Sequence, residues 1–61
     1  MQNEAEIFGA VLKAARQEAG LTVEALAERV GVTERYINRL ENNGKTPGYA
    51  VLCRLIPELA I

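Results

Sequence analysis

The chain has 61 residues, of which 49% are hydrophobic and 25% charged, and its formal net charge is −1. This length predicts one domain, residues 1–61, with no room for a separate catalytic domain, and the composition argues against a disordered chain. The single cysteine excludes an internal disulfide, and the lack of histidine excludes a histidine-based triad or a zinc site with histidine ligands. We therefore expect no enzyme, no metal and no cofactor.

The apolar runs are too short to cross a membrane, and no signal-peptide pattern opens the sequence. We expect a cytoplasmic protein without a membrane partner. Cys53 is interpreted as a half-buried small apolar residue rather than a reactive thiol.

The first predicted helix runs from about Glu4 to Ala19. Asn3 is its predicted N-cap, and Gly20 is predicted to end it in the left-handed conformation that glycine adopts readily. Apolar residues recur in this segment at three- and four-residue spacings, the pattern of an amphipathic helix. They are Ile7, Phe8, Val11, Leu12 and Ala15.

Two shorter helices are predicted next, each preceded by a threonine N-cap, Thr22 and Thr33. Gly31 interrupts the second helix after about eight residues, and Asn43 and Gly44 help to close the third. The predicted buried positions of these two helices are Leu26, Ala27, Val30, Ile37 and Leu40. Two short helices joined by a glycine-containing turn are typical of a helix-turn-helix.

The last segment predicts a helix from Tyr49 to about Ile56 and a separate final turn that begins at Pro57. Its apolar residues follow a helical repeat: Tyr49, Leu52, Cys53, Leu55, Ile56 and Leu59. Lys45 to Gly48 form the loop before it.

Several short motifs occur in the same order and register as in one known family. They are Leu12-Lys-Ala-Ala-Arg16, Gly20-Leu21-Thr22, Leu26-Ala27, Gly31-Val32-Thr33, Ile37, Leu40-Glu41-Asn42 and Pro47. Over about residues 8–61 the chain resembles the phage Cro/repressor-type (Xre-like) helix-turn-helix family. The resemblance implies an all-α, lambda-repressor-like bundle of four to five short helices, with the helix-turn-helix unit at about residues 22–41.

The family places its third helix, here at about residues 33–42, in the major groove of DNA. Carried over position by position, the residues that face the bases are Thr33, Glu34, Arg35 and Arg39, with Asn38 beside them. Arginine suits the two acceptors of guanine, and glutamate can accept from the amino group of cytosine. The predicted phosphate contacts are Thr22, Asn42, Asn43 and Lys45. For Tyr36 two interpretations stay open, namely contact with a thymine methyl or a sugar, and packing beside the first helix.

Arg16 and Glu41 match a family pair that ties the first helix to the end of the third. We expect this partly buried ion pair in preference to a direct DNA role for Arg16. If Glu41 is neutralised in this way, the acidic pI of about 5.3 counts less against a DNA partner. The charge is also uneven, because residues 1–32 sum to −2 and residues 33–61 to +1.

Two positions depart from the family. Val23 replaces a glutamine that reaches a phosphate, and Glu34 puts a negative charge at a base-contacting position. Together they lower the expected DNA affinity by about 1–3 kcal/mol.

The sequence therefore predicts a sequence-specific transcriptional regulator whose partner is double-stranded DNA. The alternative is a protein-interaction module on the same fold, which binds a partner in the manner of an antitoxin or antirepressor. Two further alternatives stay open: the chain pairs as a homodimer through apolar residues of its last segment, or it is one domain of a longer regulator.

Overall fold

The computed structural model describes residues 3–60, which form four α-helices and no strand. The helices are α1 (Glu4–Glu18), α2 (Val23–Val30), α3 (Glu34–Asn42) and α4 (Tyr49–Leu59). The all-α prediction is confirmed. Among the described residues, no helix is both long enough and apolar enough to span a membrane.

The starts of the first three helices are set by capping side chains. The Asn3 side chain accepts from the Glu6 N–H at 2.8 Å, and the Glu6 carboxylate accepts from the Asn3 N–H at 3.2 Å, so α1 begins with a capping box. The Thr22 and Thr33 hydroxyls each accept from the N–H three residues further on, at 3.0 and 3.1 Å. These three predicted N-caps are confirmed.

The ends of α1 and α2 share one geometry. Gly20 and Gly31 both have φ of +74°, a left-handed conformation that costs glycine little. The residue after each glycine donates its N–H to the carbonyl five residues back: Leu21 to Arg16 at 3.1 Å, and Val32 to Ala27 at 2.9 Å. This bond satisfies a carbonyl that the end of the helix leaves free.

Each helix contributes to one core. Its buried residues are Leu12, Leu26, Ala27, Val30, Ile37, Leu40, Leu55 and Leu59. The main helix contacts join α3 to α1 and α2, and α4 to α2. All five positions predicted to be buried in α2 and α3 are in this core.

The apolar face of α1 is narrower than predicted. Leu12 is fully buried, and Phe8 and Ala15 pack against the core. Ile7 and Val11 share this apolar spacing, but they are 50% and 47% exposed and lie outside the core. The neighbouring helices cover only part of the stripe that the spacing of the apolar residues suggested.

Two predictions for the last segment are wrong. Pro57 does not end a helix, since α4 continues through it to Leu59, which is 8% exposed and belongs to the core. Pro57 lacks the N–H that would donate to the Cys53 carbonyl, and burial of Leu59 in the core offsets this loss and anchors the last turn. Cys53 is exposed rather than half-buried. It precedes the buried Leu55 by two positions and therefore points to nearly the opposite side of α4.

Candidate nucleic-acid interface

The unit formed by α2, the turn at Gly31 and α3 presents one face of α3 to solvent. The buried side chains of this helix, Ile37 and Leu40, lie on its inner face. The exposed residues fall within an arc of about 140° on the other side, given the advance of about 100° per residue in an α-helix. They are Glu34, Arg35, Asn38, Arg39 and Asn42. The structure thus brings four of the five residues predicted to face the bases onto one surface.

The other predicted site residues occupy the ends of helices and the following loop. Thr33 and Thr22 are exposed N-caps of α3 and α2, so their hydroxyl oxygens already accept a backbone hydrogen bond. Asn43 is the C-cap of α3, and Lys45 lies two residues further on; both are exposed.

The loop after α3 is folded back onto that helix. The Arg39 carbonyl accepts from the Asn43 N–H at 3.0 Å and from the Lys45 N–H at 3.3 Å. Gly44, between them, has φ of +66°. The Lys45 backbone is therefore attached directly to the turn of α3 that carries Arg39.

Arg16 and Glu41 join α1 to the end of α3. The Arg16 Nε donates to one Glu41 oxygen at 2.8 Å, and its Nη2 donates to the other at 3.2 Å. The side chains are only 11% and 1% exposed. The third guanidinium nitrogen, Nη1, donates to the Leu21 carbonyl at 2.8 Å, so one side chain fixes α1, α3 and the turn before α2.

This pair changes the charge that α3 presents. The Glu41 carboxylate is turned inward and compensated by Arg16. The exposed side of α3 and its loop then carries three cationic side chains, Arg35, Arg39 and Lys45, against the single carboxylate of Glu34. An excess of positive charge on one side of a net-acidic chain is the local arrangement that an anionic partner requires.

The comparison with known families agrees with this geometry. A family model described as helix-turn-helix, of the Cro/C1-type, matches residues 12–56, from the middle of α1 to the last third of α4. The chain belongs to this helix-turn-helix family. No match was found among the curated proteins.

In this helix-turn-helix protein, α3 occupies the place of the recognition helix. Val23, the predicted departure from the family, is the first residue of α2 and packs against the core. Its side chain therefore contributes to packing.

Gly9 has a packing role that the sequence pattern did not reveal. This glycine is buried in the middle of α1, and a Cβ atom built on it would lie 2.4 Å from the Leu40 carbonyl oxygen and 2.9 Å from that of Glu41. The absence of a side chain thus lets α1 approach the backbone at the end of the recognition helix. The available signal was a glycine inside an otherwise regular helical pattern.

Three further side-chain contacts were not foreseen. The Tyr36 hydroxyl accepts from the Gly48 N–H at 3.1 Å, and the Tyr36 ring lies 5.5 Å from the Lys45 ammonium. Arg54 donates to the Val30 carbonyl at 3.2 Å and so joins α4 to the end of α2. All three connect different segments of the chain, so the local sequence pattern does not reveal them.

Proposed function

We propose that this protein is a sequence-specific DNA-binding transcriptional regulator that reads the major groove with α3. The observation that carries the proposal is the exposed face of α3, where two arginines and an asparagine stand on a helix whose opposite face is buried in the core. A helix of this diameter fits the major groove of B-DNA.

In the proposed complex, the bases are contacted by Arg35, Asn38 and Arg39, with Glu34 and Thr33 at the start of the helix. Arginine pairs with the O6 and N7 acceptors of guanine, and asparagine with the N6 and N7 of adenine. The Glu34 carboxylate accepts from a cytosine amino group and repels phosphate. It therefore narrows the set of acceptable sites and lowers non-specific affinity.

Phosphate contacts come from Lys45, Asn42 and Asn43 after α3, and from Thr22 at the N-terminus of α2. The exposed N-terminus of a helix favours an anion, because its first N–H groups are free and the helix dipole is positive there. These contacts orient the protein on DNA, and the base contacts select the sequence.

Binding of a labelled random-sequence duplex, measured at several salt concentrations, tests the proposal. We expect binding at low salt that weakens steeply as salt rises, because each neutralised phosphate releases bound cations. Selection from a random library then tests for a preferred site. Lack of binding at low salt would exclude the DNA partner.

We also infer that the protein binds DNA as a homodimer that pairs through the outer face of α4. Tyr49, Cys53 and Ile56 follow one another along α4 at spacings of four and three residues, and all are exposed. Tyr49 is 83% and Ile56 44% exposed. This is the spacing of an apolar helix–helix seam, and a dimer would supply two recognition helices for two half-sites.

One face of an 11-residue helix buries less area than a stable dimer requires, so we expect weak self-association that DNA reinforces. Cys53, the only cysteine of the chain, reports on this pairing. Mild oxidation should give a Cys53–Cys53 dimer whose yield rises when duplex is added, and Ile56→Asp should abolish it. Equal yields for the wild type and Ile56→Asp would contradict pairing through α4.

The protein-interaction alternative rests on the exposed Ile7 and Val11 of α1. Two apolar side chains one turn apart, each about half exposed, form a small apolar surface of the kind that a partner protein covers. If the duplex does not bind at low salt, this surface becomes the preferred site. Ile7→Lys should then weaken partner capture, and Lys13→Ala, an exposed change in the same helix, should not.

A further inference from the structure

We propose that Tyr36 is a positioning residue that holds Lys45 at a fixed place beside the recognition helix. The proposal rests on the proposed DNA-binding function and extends it to a residue that makes no contact with DNA itself. Tyr36 is partly buried and packs against the core, so its ring has a defined orientation.

The loop between α3 and α4 is held by Tyr36 at its far end. The Tyr36 hydroxyl accepts from the N–H of Gly48, which is the residue that precedes α4 and has no side chain to cap that helix. At the near end, the Lys45 N–H donates to the Arg39 carbonyl at 3.3 Å. The loop is thus tied to α3 at two points, one turn apart.

The Lys45 side chain is guided by the same aromatic ring. Its ammonium lies 5.5 Å from the ring centroid, within the range of about 6 Å over which a cation is attracted to an aromatic face. An exposed lysine on a free loop samples many rotamers, and binding a phosphate would cost it that freedom. Tyr36 restricts both the loop backbone and the Lys45 ammonium group. Part of the conformational entropy that binding would cost is therefore lost before the phosphate binds.

This arrangement gives Tyr36 a role in addition to its packing against the core. Its hydroxyl oxygen accepts from the Gly48 N–H, and its ring faces the Lys45 ammonium. The Lys45 backbone is hydrogen-bonded to the Arg39 carbonyl. The two cationic residues are therefore held next to each other.

The first test needs no DNA. In Tyr36→Phe the ring stays and only the hydroxyl is lost. We expect amide exchange at Gly48 to accelerate about tenfold, while a circular-dichroism spectrum matching that of the wild type shows that the helices remain. Tyr36→Leu should in addition remove the ring-current shift of the Lys45 side-chain protons. Unchanged Gly48 exchange in Tyr36→Phe would show that the hydroxyl does not hold the loop and would overturn the proposal.

The second test is a double-mutant cycle on affinity for a random-sequence duplex. Tyr36→Phe should weaken binding about threefold in the wild-type background and have almost no effect in Lys45→Ala, because the lysine that Tyr36 positions is then absent. Equal losses in the two backgrounds would mean a general structural effect and would overturn the proposal. If the wild type does not bind the duplex, the DNA-binding function fails, and Gly48 exchange still decides whether Tyr36 holds the loop.

Discussion

The close approach of α1 to α3 predicts that Gly9→Ala destabilises the fold, although alanine is the better helix former. Alanine inside a helix normally gains about 1 kcal/mol over glycine. Here the new Cβ would lie 2.4 Å from the Leu40 oxygen and 2.9 Å from the Glu41 oxygen. Both are backbone atoms, which cannot rotate away as the end of a side chain can.

Relief requires the two helices to separate, and overpacking of this kind costs about 1–3 kcal/mol, occasionally more. Separation of α1 from α3 would also lengthen the Arg16–Glu41 ion pair, because Glu41 follows Leu40 directly. Because both contacts are with backbone, we expect a cost at the upper end of this range, about 3 kcal/mol, and therefore a net loss of about 2 kcal/mol after the gain in helix propensity. A domain of this size has a total unfolding free energy of only about 3–9 kcal/mol, so the loss is a large fraction of it.

Urea and thermal unfolding, followed by circular dichroism, measure this effect. We expect Gly9→Ala to lower Tm by about 8–16 °C. The matched control is Gly48→Ala, because no heavy atom lies within 4 Å of its new Cβ and φ is −68°. Gly48 is the N-cap of α4, where alanine is less favourable than glycine, so this change should cost no more than about 1 kcal/mol. A Gly9→Ala protein as stable as the wild type would refute the close approach.

Three further predictions concern the interface and its support. Arg35→Ala should relax sequence preference in a binding selection, whereas Lys45→Ala should weaken all duplexes alike and reduce the salt slope by about one phosphate contact. Glu41→Gln should cost about 3–5 kcal/mol in urea unfolding because it leaves the Arg16 charge buried and uncompensated, and replacing both residues by methionine should cost much less. Thr33→Ala should cost about 1 kcal/mol through loss of the α3 cap, while Thr33→Ser should retain the wild-type Tm; equal losses would argue against the cap.

Part of the candidate DNA-binding surface could be predicted because its residues share one helix. The positions of Arg35, Asn38 and Arg39 on one face follow from helical spacing once the start of α3 at Thr33 is known. The loop beyond α3 was not predictable in the same way. Its placement depends on two hydrogen bonds, from the Gly48 N–H to the Tyr36 hydroxyl and from the Lys45 N–H to the Arg39 carbonyl. The local sequence pattern indicates neither of them.

The sequence by itself determined where the first three helices begin and where the first two end. Each of these helices starts where a side chain accepts from an N–H of the first turn, namely that of Asn3, Thr22 or Thr33. The first two helices end where a glycine, Gly20 or Gly31, adopts the left-handed conformation. Such signals are local, so they can be read without knowing the fold.

Only the tertiary structure decided which apolar residues are buried and how closely the helices approach. Ile7 and Val11 have the same spacing as buried residues but lie beyond the arc that the neighbouring helices cover. Position 9 requires glycine because the backbone at the end of α3 lies close to it. Helix α4 continues through Pro57 to the buried Leu59. These outcomes depend on contacts between distant segments, and packing between helices outweighs local preference.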